Sequence, residues 1–158
     1  MGLLTPVAVR IGAIEWLPRY LPYIVKIDVL LHFLTGGRFG LLRIAGLPGI
    51  TMTIPGRKSG KLHSTHLLAA PDGDDWIVAG SFFGGPTMPA WVFNLRAAET
   101  MTVTVHGVEQ TMRPTELFDA DRAAGWRTLL GVWPNFTVYE RRTSRTIPVF
   151  RLTPSRGD

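Results

Sequence analysis

The sequence predicts a mainly β (α+β) fold: a small closed barrel of about six mostly antiparallel strands, with flanking helices and an N-terminal helical segment. Three observations predict it. Short runs alternate apolar residues with Thr or other polar residues, the pattern of half-buried strands. Compact turn signals such as Pro71-Asp72-Gly73-Asp74 join these runs as hairpins, which favours antiparallel pairing. Finally, 158 residues with 46% hydrophobic and 18% charged content suffice for one domain with a sizeable core and exclude a disordered chain.

Residues 1–38 form an apolar N-terminal segment with expected helices at Val9–Leu17 and Pro22–Leu34, the second stopped by Gly36-Gly37. Arg10, Glu15, Arg19, Lys26 and Asp28 interrupt its hydrophobic runs. It is therefore read neither as a secretory signal nor as a membrane span, which needs roughly twenty apolar residues. So broad an apolar surface packs on the core or in a dimer, or else lies in a membrane interface helped by Arg10, Arg19, Lys26 and Arg38. Residues 39–158 form the barrel domain. Leu41–Ala45 is a short apolar run, followed by a turn at Gly46-Leu47-Pro48-Gly49.

Ile50, Met52 and Ile54 alternate with Thr51 and Thr53 as a first strand, and a second begins near Leu62. The hairpin turn at 71–74 leads into a strand over Trp76–Gly80 and then a glycine-rich loop, Ser81-Phe82-Phe83-Gly84-Gly85-Pro86. Met88–Ala98 reads as a short helix with Pro89 in its first turn. Thr100–His106 and Gln110–Glu116 are paired strands about Gly107. A helix capped by Asp119 runs to about Val132 and carries Trp126, Leu129 and Leu130 inward. Trp133-Pro134-Asn135-Phe136 breaks it, an aromatic segment reaches Tyr139, and Thr146–Leu152 is the last strand.

The net charge is +5, with arginine far outnumbering lysine, so an anionic partner is expected. The basic residues are too scattered for a nucleic-acid module, and nucleic acid is not expected. With no cysteine there is no disulfide scaffold or thiolate nucleophile, and a reducing cytoplasm is the expected location, at most docked on the inner face of the membrane. No carboxylate pair or Ser/His/Asp set suggests hydrolysis.

The most informative turn is Gly56-Arg57-Lys58-Ser59-Gly60. Its glycines permit positive φ, which lets successive N–H groups converge on an anion. Arg57 adds a fork of donors, Lys58 a point charge and Ser59 a hydroxyl. The same residues also suit a solvated hairpin turn. The spacing is not that of a Walker loop, and no Gly-x-Gly-x-x-Gly motif occurs.

In one order and at compatible spacing stand Leu34-Thr35-Gly36-Gly37-Arg38, Gly56–Gly60, Asp72-Gly73-Asp74, Ser81 with Gly84-Gly85, Pro89-Ala90-Trp91 with Asn94-Leu95-Arg96, and Thr143-Ser144-Arg145-Thr146-Ile147-Pro148-Val149. This set, between about Tyr23 and Pro154, resembles the deazaflavin (coenzyme F420)-dependent nitroreductases and reductases of actinobacteria, on the split β-barrel fold. The resemblance implies that Arg57, Lys58, Ser59 and Gly60, with His63, hold the phosphate and acidic tail of coenzyme F420. It further implies that Thr65, His66, Ala79, Ser81, Gly84, Gly85, Trp91 and Asn94 line the ring and ribityl pocket. His63, His66 and Phe82 depart from the arginine, proline and lysine common in the family. His63 and His66 point to opposite faces of a strand with no third ligand in view, so no metal is expected.

Trp133, Phe136 and Tyr139 fall where nitroreductase members place tyrosines. They are read either as core packing or as a substrate pocket that favours a flat, apolar acceptor such as a quinone or unsaturated ring over a nitroaromatic. Ser81 and Tyr139 are the candidate catalytic hydroxyls. Flavin mononucleotide is the alternative cofactor. A non-catalytic carrier of deazaflavin or flavin, or a membrane-surface protein with the barrel as scaffold, is the alternative function. An oligomer is compatible with the pattern.

Overall fold

A computed structural model describes Tyr23 and residues 46–155. The expected helices at Val9–Leu17 and Pro22–Leu34, the run Leu41–Ala45 and the Leu34–Arg38 motif lie outside the described residues, apart from Tyr23, which is helical and exposed.

The described strands are β1 (Gly49–Pro55), β2 (Leu62–Leu68), β3 (Ala70–Asp72), β4 (Asp75–Ala79), β5 (Met101–Val105), β6 (Val108–Leu117) and β7 (Val149–Pro154). The helices are α1 (Ala90–Ala97), α2 (Asp119–Val132) and α3 (Phe136–Arg142). All strands pair antiparallel in one sheet of order β2-β1-β5-β6-β7-β4-β3. Its two edges, β2 and β3, are separated in the chain by Ala69 alone, so the sheet curls until its edges approach. No ladder joins these edges among the described residues, and the barrel is split rather than closed.

Other expectations are corrected in detail. A seventh strand, β3, exists where only a turn was expected. Pro71 lacks an N–H and weakens the strand signal, but an edge strand tolerates it, and it pairs with Trp76. Helix α1 starts at Ala90, with Pro89 as its cap. Phe118, not Asp119, caps α2 through its carbonyl, which accepts the Arg122 N–H at 3.0 Å; Asp119 is the first helical residue, at φ 47°. Strand β7 begins at Val149, because the Ile147 carbonyl is taken by the Arg122 guanidinium and the Pro148 carbonyl by the Gly80 N–H.

Two apolar clusters cover the two faces. Inside the curl, Ile50, Met52 and Ile54 of β1 meet Val103, Phe150 and Leu152, and α1 plugs the opening with Val92 and Leu95. On the far face α2 and α3 lay Trp126, Leu129, Phe136 and Tyr139 against Ile77, Leu117 and Val149. Gly125 permits that contact: a methyl there would lie 3.0 Å from Leu117 Cδ1 and 3.2 Å from Val149 Cγ1. Successive residues of β4 serve alternate faces, Ile77 and Ala79 the helical one and Val78 the interior.

Candidate functional site

Gly56, Arg57, Lys58, Ser59, His63 and Asn94 line a cavity of about 200 Å³ at the β1–β2 turn. No carboxylate is among them. The turn is closed by two main-chain bonds, Gly60 N–H to Gly56 O at 2.8 Å and Gly56 N–H to Lys61 O at 2.7 Å. Gly60 takes φ 69°, as that closure requires. At Gly56 a methyl would lie 2.9 Å from Ser59 Oγ and 3.0 Å from His63 Nε2, so the bare backbone opens the floor of the cradle. The Ser59 hydroxyl accepts the Lys61 N–H at 3.3 Å. Arg57 N–H donates to Asn94 Oδ1 at 3.2 Å, which ties the turn to α1. Among the described residues the Lys58 and Ser59 N–H groups have no partner, and they are the donors left for an anion.

Phe93 is a site residue the sequence reading passed over. It stands 38% exposed, and the Arg57 guanidinium lies 4.8 Å from its ring centroid. The signal was the buried pair Val92 and Leu95, which turns the intervening Phe93 outward on the helix.

The β1–β2 register separates two predicted neighbours. Thr65 faces Met52, and His63 faces Ile54, on the interior side. His66 stands on the outer side opposite Thr51, whose Oγ1 lies 3.1 Å from His66 Nδ1. Thr65 and His66 therefore do not share a wall. Among the described residues no group of three or more His, Cys, Asp or Glu could hold a metal.

The second cluster surrounds the loop between β4 and α1. Gly84 N–H donates to Ser81 O at 2.9 Å, and Gly85 N–H to Phe82 O at 2.8 Å. Ser81 is half-buried, Phe82 exposed, and Gly84 and Gly85 buried. A methyl on Gly84 would sit 2.6 Å from the Tyr139 carbonyl oxygen, so the loop lies directly on α3. Ala79 ends β4 just before it, and Trp91 opens α1 just after, its ring 6.3 Å from that of Phe150. Trp91 and Asn94 stand three residues apart on α1, the helix that follows this loop, and Asn94 also lines the basic cradle.

Behind the loop, Trp133, Phe136 and Tyr139 are core residues. The Phe83 and Tyr139 rings lie 5.6 Å apart, and those of Phe136 and Tyr139 meet edge-on at 5.9 Å. Trp133 Nε1–H donates to the Tyr139 hydroxyl at 3.1 Å. Burial pushes the Tyr139 phenol above its ordinary value, opposed by that indole bond and by the nearby Arg142 charge. A folded value above the unfolded one means this stabilisation is complete below about pH 10 and is lost as pH rises through the folded value. Tyr139→Phe leaves the buried indole N–H without its acceptor, an expected cost of about 1–3 kcal/mol in denaturant unfolding at neutral pH. The same variant removes the alkaline loss due to this phenol, so its deficit narrows above about pH 10.

The model of the F420H(2)-dependent quinone reductase family matches residues 27–154. An F420H(2)-dependent quinone reductase of Mycobacterium tuberculosis is 33% identical over 146 residues, which span 88% of this chain and 96% of the relative. Among solved structures, an F420-H2 dependent reductase (FDR-A) aligns with a TM-score of 0.62 at 28% identity, over 66% of this chain and 93% of its own. Another, described as a domain-swapped dimer, aligns at 0.64 and 26% identity, over 87% of this chain and 97% of its own.

Proposed function

Because the chain belongs to the F420H(2)-dependent quinone reductase family, an oxidoreductase family that draws on reduced coenzyme F420, we propose that its basic turn holds the cofactor's anionic tail and that its glycine-rich loop borders the ring. The observation that carries this reading is the cradle lined by Gly56, Arg57, Lys58, Ser59, His63 and Asn94, all neutral or cationic. The donor set fits a phosphate: two cationic side chains, a hydroxyl, a histidine ring, and two turn N–H groups without partners among the described residues.

When bound, the reduced deazaflavin supplies a hydride from C5. The protein binds, orients and excludes water. Arg57 and Lys58 take the tail, and Asn94 keeps their turn in register with α1. In this reading Trp91, Ala79, Gly84 and Gly85 border the ring, together with Thr65 from the interior face of β2. His66, on the outer face, would reach it only through its neighbours. The Ser81 hydroxyl and the Phe82 and Phe83 N–H groups meet the negative charge that develops on the acceptor oxygen. Tyr139 is buried, its hydroxyl taken by the Trp133 indole N–H, so its ring supports the loop through Phe83, and solvent supplies the proton. Trp133 and Phe136 back the same wall and keep it apolar, which suits a quinone.

The test is anaerobic turnover with reduced F420 and a naphthoquinone such as menadione, with reduced flavin mononucleotide as the comparison. Turnover with the deazaflavin at least a hundredfold faster than with the flavin is expected. Equal rates with both would remove the cofactor assignment, and F420 binding without turnover would make the protein a carrier. Phe93→Ala is expected to weaken F420 binding about two- to fivefold, since an exposed cation–π contact contributes about 0.5–1 kcal/mol. No helix among the described residues is long and apolar enough to cross a membrane. Peripheral docking through residues 1–38 is part of the same proposal, and flotation of the full chain with anionic liposomes tests it.

A further inference from the structure

Arg145 lies in the chain between α3 and β7 and has been given no cofactor or acceptor role above. Its Nη2 donates to the Ser81 carbonyl at 2.8 Å and its Nε to the Gly85 carbonyl at 3.1 Å, while Nη1 lies 3.6 Å from Met88 Sδ. One planar guanidinium thus grips both ends of the loop, from a point sixty or more residues away in the chain.

Between the two gripped carbonyls the backbone is left-handed for three residues: Phe82 at φ 44°, Phe83 at 55° and Gly84 at 80°. A non-glycine residue in that region is strained, because its Cβ crowds the neighbouring carbonyl oxygen. Such a stretch persists only where its surroundings over-determine it. The Phe83 ring on Tyr139 and the close seat of Gly84 on α3 supply the apolar part of that constraint. The polar part comes from Arg145. A lysine could not replace it, because one ammonium lacks the rigid fork that reaches two carbonyls at once.

We propose that Arg145 is a positioning residue for hydride transfer: it clasps the Ser81–Gly85 loop in the strained shape that presents the Ser81 hydroxyl and the Phe82 and Phe83 N–H groups to the acceptor. The proposal rests on the reading that this loop borders the deazaflavin ring. It differs from that reading in naming what holds the loop.

The experiment compares wild type, Arg145→Ala and Arg145→Lys in the full chain. Chymotryptic cleavage after Phe82 and Phe83 is measured without cofactor, and F420 affinity and single-turnover hydride transfer to menadione are measured with it. Arg145→Ala is expected to be cleaved at least tenfold faster and to transfer hydride at least tenfold more slowly. Its F420 Kd is expected to move less than threefold, because Arg57 and Lys58 still hold the tail. Arg145→Lys, which keeps the charge and one donor, falls between, and it carries the comparison if the alanine variant does not fold. Unchanged cleavage would overturn the clasp while leaving the loop's place at the ring intact. Faster cleavage with unchanged hydride transfer would overturn the loop's place at the ring, and the proposal with it.

Discussion

Replacing Arg57 and Lys58 together by alanine is expected to weaken F420 binding by about tenfold or more, with kcat at saturating cofactor changed far less. Both side chains line the cradle, which holds no carboxylate to compensate for their loss. Both are exposed, so water and salt screen them, and the effect stays well below that of a buried ion pair. Salt therefore gives a second readout. Wild-type affinity should fall as ionic strength rises through about 0.1–0.5 M, whereas the double variant should respond weakly, since the charges that salt would screen are gone. Titration of both proteins at two salt concentrations measures both effects. Equal affinity in wild type and double variant would remove the cradle from the cofactor site, whatever the turnover assay shows.

Gly84→Ala is expected to have the largest effect on the fold. Its φ of 80° is unfavourable for any residue with a Cβ, and the added methyl would press to 2.6 Å on the Tyr139 carbonyl oxygen and 2.8 Å on Arg142 Cβ. Backbone is the obstacle at the first of these contacts, so no rotamer change relieves it. Left-handed strain and overpacking each cost on the order of 1–3 kcal/mol, giving about 2–6 kcal/mol together. At roughly 2–4 °C per kcal/mol for a domain of this size, Tm should drop by about 4–24 °C. Calorimetry checks it. Gly60→Ala is the informative contrast, since its φ is 69° but nothing lies within 4 Å of a methyl there. It should show the backbone strain without the clash, and a smaller drop.

The parts of the molecule legible in the sequence are those where one local pattern has one physical meaning. Ile50, Met52 and Ile54 alternate with threonines, and they stand at 0–1% exposure inside the curl. The Gly56–Gly60 stretch was legible as a basic turn between two strands, and its residues line a cavity there. The illegible parts depend on partners distant in the chain. Arg145 sat in a quoted motif, yet nothing local says that its guanidinium reaches Ser81 and Gly85. Phe93 looked like one more apolar helix residue until Arg57 lay over it. Strand β3 was hidden by its proline, and the left-handed Phe82 and Phe83 by a side chain that usually avoids such angles. The residues of the aromatic trio looked alike in sequence, and only packing shows all three behind the loop rather than open to solvent.

The position of β7 governs when the chain can become an enzyme. It is the last of the described strands in chain order, yet it lies in the middle of the sheet, between β6 and β4. Until it emerges, the ladder β2-β1-β5-β6 and the short hairpin β3–β4 have no strand to join them. Local hairpins can form early, on the order of microseconds, but the joining step is non-local and sets a slower pace. The loop after β4 therefore stays unanchored until β7 has emerged, and Gly80 finds the Pro148 carbonyl only in that closing step. The β1–β2 turn closes on bonds between near neighbours in the chain and can form first, so the basic cradle takes shape before the loop after β4 is fixed.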